Sequence, residues 1–407
     1  MSRQSRRSLL KSLLGGAAAV SAAPMPILHA REVQQRAGAT PSSEPALALN
    51  RFEPRSMLRV TETPVDRARF PVVDVHTHIT RRARASAGVS LGEPITLNAP
   101  VPDVLALMDA RNVKTMVNLT GGYGSGLVES VRTLQQPHPD RFVVFTEPAW
   151  DRSAEPGYAQ WQADELGRAK AAGAKGVKIL KTLGLYLREQ ITKGPLVPID
   201  DKRFDPMWEA CGALGLPVAI HIADPVAFFT PVDRFNERYE ELHAHPAWSF
   251  YGGDFPTFTA LLEARNRMLA RHPKTTFIGL HVAHHSEDLA EVSASLDRFP
   301  NLVVETAARI AELGRQPRAS RKFFDRYQDR ILFGTDTDPA PRSNGDTNSD
   351  KMYQIYFRFL ETDDEYFDYA PSAIPGQGRW RISGLGLTDD VLKKVYHQNA
   401  DRILGTS

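Results

Sequence analysis

Two histidines one residue apart, His76 and His78, close the run Phe70-Pro-Val-Val-Asp-Val-His-Thr-His78. On a β-strand, residues i and i+2 project from the same face. Two neutral imidazoles side by side can take two coordination positions on one borderline metal ion such as zinc. The same alternation places Asp74 on that face and Val73, Val75 and Thr77 on the other. A lone His-x-His arises easily by chance, so its weight depends on further ligands at equivalent places.

Such ligands are present. Pro217-Val-Ala-Ile-His221 and Thr276-Phe-Ile-Gly-Leu-His281 are apolar runs ending in histidine, and Arg330-Ile-Leu-Phe-Gly-Thr-Asp336 ends in aspartate. Each reads as a short buried parallel strand with a polar residue at its C-terminal end. Alternation puts Ala219, Gly279 and Gly334 beneath the three polar groups. The larger Val218, Ile220, Ile278, Leu280, Ile331 and Phe333 fall on the opposite faces. That pattern suits a crowded barrel interior with apolar outer faces meeting helices. In Lys175-Gly-Val-Lys-Ile-Leu-Lys181, Val177 and Ile179 are expected outward and Lys178 inward, above Gly176. An inward ammonium needs a carboxylate, a substrate anion or chemical modification.

The elements that must position these residues alternate along the chain. Strands are expected near 71–78, 113–120, 142–149, 174–180, 217–223, 276–283, 302–307 and 331–336. Helices are expected near 101–111, 126–136, 157–172, 204–214, 257–272, 286–298, 308–327 and 388–404. Eight strand–helix units specify an α/β fold, the (β/α)8 TIM barrel. A doubly wound open sheet ranks below it, because no Gly-rich phosphate loop follows the first strand. In such a barrel the C-terminal strand ends form the active face, which gathers His76, His78, His221, His281 and Asp336 on strands one, five, six and eight. Any one of them alone would read as a hydrogen-bonded structural group. Five at one rim need shared partners, and a metal satisfies several together. Long aromatic-rich insertions follow strand five (224–256) and strand eight (337–387); packing beside the barrel or a subunit contact is their plain alternative role.

The ordered set Asp74-Val-His-Thr-His78, Pro217-Val-Ala-Ile-His221, Gly279-Leu-His281, Leu332-Phe-Gly-Thr-Asp336 and Asn399-Ala-Asp-Arg-Ile-Leu404 resembles the amidohydrolase superfamily, in particular its amidohydrolase-related (family 2) branch. The resemblance covers most of the chain after Phe70. It implies metal ligation by His76, His78, His221 and Asp336, with His281 as an acid/base or substrate-polarising group. The strand-seven acid is Glu305. In superfamily relatives with two metals a strand-four lysine is carboxylated and bridges them. Lys178 stands at that place, with a salt bridge or substrate-anion contact as the favoured reading. Arg309 is a second candidate for a substrate anion. The loop Val282-Ala-His-His285 departs from the usual small residues and amides, so His284 and His285 are either extra ligands or solvated.

The expected function is that of an exported metal-dependent hydrolase acting on a small amide, lactone or ester, with a carboxylate-bearing substrate included. A divalent ion, zinc first and Mn2+ or Fe2+ as alternatives, would activate a water. Asp336 would take a proton from that water and His281 would polarise the carbonyl. The same branch includes decarboxylases and hydratases with nearly the same ligands, and a metal-free lactonase. From another class stands a non-catalytic periplasmic binding protein.

Arg6-Arg7 before the Ala/Gly-rich stretch 12–23 reads as a Tat-type signal segment (1–30), which makes the Tat export machinery a partner and the periplasm the expected location. The apolar core is too short to span a bilayer comfortably, so no stable membrane span is expected unless the signal is retained. Residues 31–69 read as a leader wrapping the domain, and 70–407 as the barrel. Lys+Arg total 50 and Asp+Glu 48; removing 1–30, with four basic residues, leaves 46 against 48. No polyanion-binding surface follows, and nucleic acid is excluded as a partner. The partners expected are a small-molecule substrate and, in a homo-oligomer, other copies of the chain. One cysteine, Cys211, excludes an intramolecular disulfide.

Overall fold

Valine- and isoleucine-rich runs form eight parallel strands in the computed structural model, which describes residues 47–48, 51–52, 54–86, 88–339, 348–372 and 375–405. The strands are β1 (Val72–Thr77), β2 (Val113–Asn118), β3 (Phe142–Val144), β4 (Val177–Leu180), β5 (Val218–His221), β6 (Phe277–Gly279), β7 (Leu302–Glu305) and β8 (Ile331–Leu332). They pair in chain order as β1–β2–β3 and β4–β5–β6–β7–β8. Two seams join these sheets into a barrel. Between β3 and β4, Thr146 bridges Val177, with Thr146 N donating to Gly176 O at 2.9 Å and Lys178 N to Thr146 O at 2.8 Å. Between β8 and β1, Thr77 bridges Thr337, with Val75 N donating to Phe333 O at 3.0 Å and His78 N to Thr337 O at 2.9 Å. The TIM barrel expected from the alternation is the observed fold.

Its interior is an apolar cluster that includes Val73, Val117, Phe145, Ala219, Ile278, Val303 and Leu332. The opposite strand faces, among them Val72, Val177, Ile220, Val304 and Phe333, pack in a larger core with the helices. Those helices include α1 (Val101–Arg111), α2 (Gly124–Ser130), α3 (Tyr158–Ala171), α4 (Asp205–Leu214), α5 (Phe258–Arg271), α6 (Leu289–Arg298) and α7 (Pro317–Arg326). Their ends are set locally. Thr257 caps α5 by accepting from Ala260 N at 3.2 Å, and Asp288 caps α6 through the N–H groups of Ala290 and Glu291. Cys211 is buried in α4.

The insertion after β8 carries α8 (Asn348–Glu361), whose Tyr353, Tyr356 and Phe357 are buried. Phe333 stacks on Tyr353 and Phe357 and meets Tyr356 and Tyr396 edge-on. This insertion is therefore part of the barrel's outer layer. The chain closes with α9 (Asn399–Leu404).

Two units divide the chain at residue 58. In the first, Arg51 N donates to Ala48 O at 2.8 Å. In the second, residues following Leu58 bond to the barrel layer: Ala68 N to Arg111 O at 3.3 Å, and Thr63 N to the Asp364 carboxylate at 2.6 Å. The signal segment 1–30 and the leader up to residue 46 lie outside the described residues. Among the described residues no helix is long and apolar enough to cross a membrane.

Candidate metal centre

Strand β1 delivers its histidines by a break in alternation. Val73 and Val75 both lie in the interior cluster, so strict period two would send His76 outward. Pairing with β2 instead shifts register between Asp74 and Thr77. Beyond that irregularity His76 faces the site, and the peptide groups left without ladder partners are satisfied by a side chain. Asp74 Oδ1 accepts His76 N at 3.0 Å and Thr335 N at 3.2 Å. Asp74 therefore does not share the histidines' face; it turns to the outer layer, where Tyr353 donates to it at 2.7 Å. The bulge is the physical reason for the difference from simple alternation.

Strand β6 departs in a similar way. Ile278 and Leu280 belong to the interior cluster, and a Cβ on Gly279 would meet Leu302 of the outer core. His281 reaches the site through a left-handed turn: His281, Val282, Ala283 and His284 have φ of 56, 56, 51 and 73°. Each such L-residue costs roughly 1–2 kcal/mol, so the turn needs fixed partners. Glu305 Oε1 accepts His281 N at 2.6 Å, and Arg265 from α5, fully buried, donates to Ala283 O. His284 is neither solvated nor turned into the cluster. It is buried, with Nε2 3.2 Å from Ile222 N and 2.9 Å from Ile220 O of the β5 end.

The remaining expected residues arrive as alternation predicts. A Cβ at Gly334 would run into Glu305 Oε2 and His76 Cβ, so only glycine fits beneath Asp336. Gly176 makes room for the ring of Phe145, and Lys178 is fully buried above it.

Two sets of potential ligand atoms converge among the described residues: His76, His78 and Asp336, and His76, His281 and Glu305, each within 4.8 Å of one another. Asp336 Oδ1 lies 3.1 Å from His76 Nε2 and 2.9 Å from His78 Nε2. Ligand atoms about 2.0–2.1 Å from a tetrahedral ion stand roughly 3.3 Å apart, so the trio fits one. His76 Nδ1 faces Glu305 Oε1 at 3.3 Å, which would leave Nε2 as the ligand atom toward the trio with an ion bound. His221, expected as a fourth ligand, is in neither set; its Nδ1 lies 3.3 Å from His281 Nε2. His221 Nε2 donates to Asp224 Oδ1 at 3.2 Å, and His281 Nδ1 donates to Ala307 O at 2.8 Å. Assigned from those partners, both facing nitrogens carry bare lone pairs. Facing lone pairs repel, and a proton or a cation held between the two rings would relieve that.

The charges agree. Burial, then the nearby lysines, holds His221 well below the usual histidine range; burial, then His221 and Arg309, does the same for His281. Burial alone would raise the Asp336 carboxyl, but His76 and the bonds from His76 and His78 outweigh it and hold the group well below the carboxylate range. Burial pushes the Lys178 ammonium down to about 8, against the pull of Asp336 and Glu305. Its Nζ is 3.4 Å from His76 Nε2, within reach of a long hydrogen bond. Arg309 is buried, donating to Ala308 O at 2.7 Å, close enough to His281 for its charge to act there. The His78 and Asp336 side chains are 22% and 30% exposed while His76 is 1%, so the cluster opens on the His78–Asp336 side.

Sequence reasoning gave no role in the site to Asp224, Arg265 or Tyr353. The His221-x-x-Asp224 spacing was a visible signal for the first and the aromatic content of the insertion after strand eight for the third; nothing local marks Arg265.

Comparison with curated proteins finds no match. Among solved structures the chain is similar to 2,6-dihydroxybenzoate decarboxylase from Rhizobium, at 16% identity and a TM-score of 0.49 over 83% of this chain and 99% of that one. It is similar to a dihydroxybenzoic acid decarboxylase from Polaromonas with bound manganese and an inhibitor, at 16% and 0.46 over 76% and 87%. It is also similar to 4-oxalomesaconate hydratase from Rhodopseudomonas palustris, at 13% and 0.45 over 82% and 96%. The Amidohydrolase family model, Amidohydro_2, matches residues 73–406, and the chain belongs to that family.

Proposed function

We propose that the protein is a metal-dependent hydrolase of small amides, lactones or esters. The observation that carries this reading is the convergence of His76 Nε2 and His78 Nε2 on one Asp336 oxygen, beside the facing lone pairs of His221 and His281. His76, His78, His221 and Asp336 would hold one divalent ion, zinc by the imidazole-rich donor set and Mn2+ or Fe2+ as alternatives. Such an ion supplies Lewis acidity that polarises a substrate oxygen and draws the pKa of a water toward neutrality.

The chain's own groups move the protons. Asp336, held ionised, accepts the proton of the attacking water. His281 has its Nδ1–H committed to Ala307 O, so in its neutral form Nε2 takes a proton before it can give one. That favours acid/base transfer to the leaving group over direct polarisation of the carbonyl. Lys178 and Arg309 present positive charge inside the rim and suit a substrate carboxylate.

The same two cations support a second reading, decarboxylation of a bound carboxylate. A panel of esters, amides, lactones and carboxylic acids, assayed with and without chelator, separates them. The hydrolase reading requires alcohol, amine or hydroxy-acid release that chelation abolishes; carbon dioxide release in its place would favour the second. Export to the periplasm through the Tat machinery completes the proposal, supported by Arg6-Arg7 and the apolar stretch behind it.

A further inference from the structure

We infer that Tyr353, on the helix inserted after the last barrel strand, is a positioning residue of the metal centre, acting through Asp74 on His76 and Asp336. The inference rests on the metal-site reading above and adds to it a residue outside the rim.

Strand β1 must place Val75 and His76 both inward, and a regular ladder cannot do that. The irregularity is tied by one carboxylate. Asp74 is fully buried and accepts four hydrogen bonds: His76 N (3.0 Å) and Thr335 N (3.2 Å) on Oδ1, and Thr335 Oγ1 (2.6 Å) and Tyr353 OH (2.7 Å) on Oδ2. Two of these are the backbone of His76 and of the residue before Asp336. The carboxylate therefore stands where a strand carbonyl would, and its rotation sets the relative position of the two groups whose Nε2 and Oδ1 are 3.1 Å apart.

Tyr353 fixes that rotation from outside. Its ring is fully buried, stacked against Phe333 and Phe357, so its hydroxyl arrives on a rigid support. Without the hydroxyl, Oδ2 keeps only Thr335 Oγ1, and the carboxylate loses the one hydrogen bond that holds its rotation from the outer layer. Partners behind metal ligands typically contribute about 10–100-fold in metal affinity.

The test uses the full-length chain freed of metal by chelation and titrated with Co2+. Tyr353→Phe keeps the ring and removes only the hydroxyl. It is expected to weaken Co2+ binding about 10–100-fold and to shift the cobalt d–d absorption, with the melting transition of the metal-free chain near that of wild type. Tyr396→Phe is the control. It also removes a buried phenol, one that meets Phe333 edge-on and bonds Glu361 at 2.8 Å, but it leaves Asp74 intact and should bind cobalt as wild type does. Asp74→Asn, which keeps one acceptor oxygen, should bind more tightly than Asp74→Ala. Unchanged affinity and spectrum in Tyr353→Phe, or an equal loss in Tyr396→Phe, overturns the inference while the metal site stands. Failure of wild type to bind Co2+ overturns the metal reading itself, and this inference with it.

Discussion

His76 and Asp336 are joined twice. The Asp336 N–H donates to the His76 carbonyl at 2.8 Å, and the Asp336 carboxylate lies 3.1 Å from His76 Nε2. Asp336 sits at φ 64°, in the left-handed region, so the backbone bond and the side-chain contact can form at once. The first and last strands of the barrel thus meet through the same two residues that head the candidate metal centre.

His281 is expected to act on substrate rather than to be needed for holding the ion. His281→Asn should retain near-stoichiometric metal and the folded barrel while losing about 10²–10⁴ in turnover. Metal content and kcat measured on one preparation decide it. Metal lost as fully as in His78→Ala would make His281 a ligand and the site binuclear, with Lys178 as the candidate bridge.

Arg265 holds the strained turn that carries His281. Replacing it by methionine fills similar space but leaves the Ala283 carbonyl and Ser295 without their buried donor. Stability should fall by on the order of 3 kcal/mol, read as a lower urea midpoint. Turnover should fall in the fraction that stays folded. A midpoint unchanged from wild type would show that the left-handed turn holds itself.

Acid should destabilise the protein through its buried histidines. Burial, then the Arg265 charge, pushes His284 down to about 3, while an unfolded histidine titrates near about 6.5. Below that pH the unfolded chain binds a proton that the folded chain refuses. The stabilisation is present above about 6.5 and is lost progressively as pH falls toward 3. His221 and His281 act in the same direction. His284→Gln should show a flatter fall in urea midpoint between pH 7 and 5 than wild type, both chelated. Identical slopes would remove His284 from the account.

Much of this was legible in the sequence, because hydrophobic alternation and strand-end polar residues report the barrel directly. The eight strands fall where the apolar runs lie, and Gly334 and Gly176 read correctly as space for inward groups. What alternation could not show was where it fails. Nothing local announces the bulge at Asp74 or the left-handed turn at His281, since both depend on partners far along the chain, Thr335 and Tyr353 in one case and Arg265 and Glu305 in the other. The same holds for α8: its aromatics were visible, but their partner, Phe333, is known only once the barrel closes.

Export offers a test independent of the site. Replacing Arg6 and Arg7 with lysine should trap the protein in the cytoplasm, seen by fractionation. Undiminished periplasmic yield would contradict the Tat assignment.

The most direct measurement is an anomalous-scattering map from crystals of the protein grown with a divalent metal, compared with His78→Ala. The account predicts one ion about 2.0–2.2 Å from His76, His78, His221 and Asp336, absent in the variant along with activity. An active protein whose map shows no ion among these four side chains would contradict it.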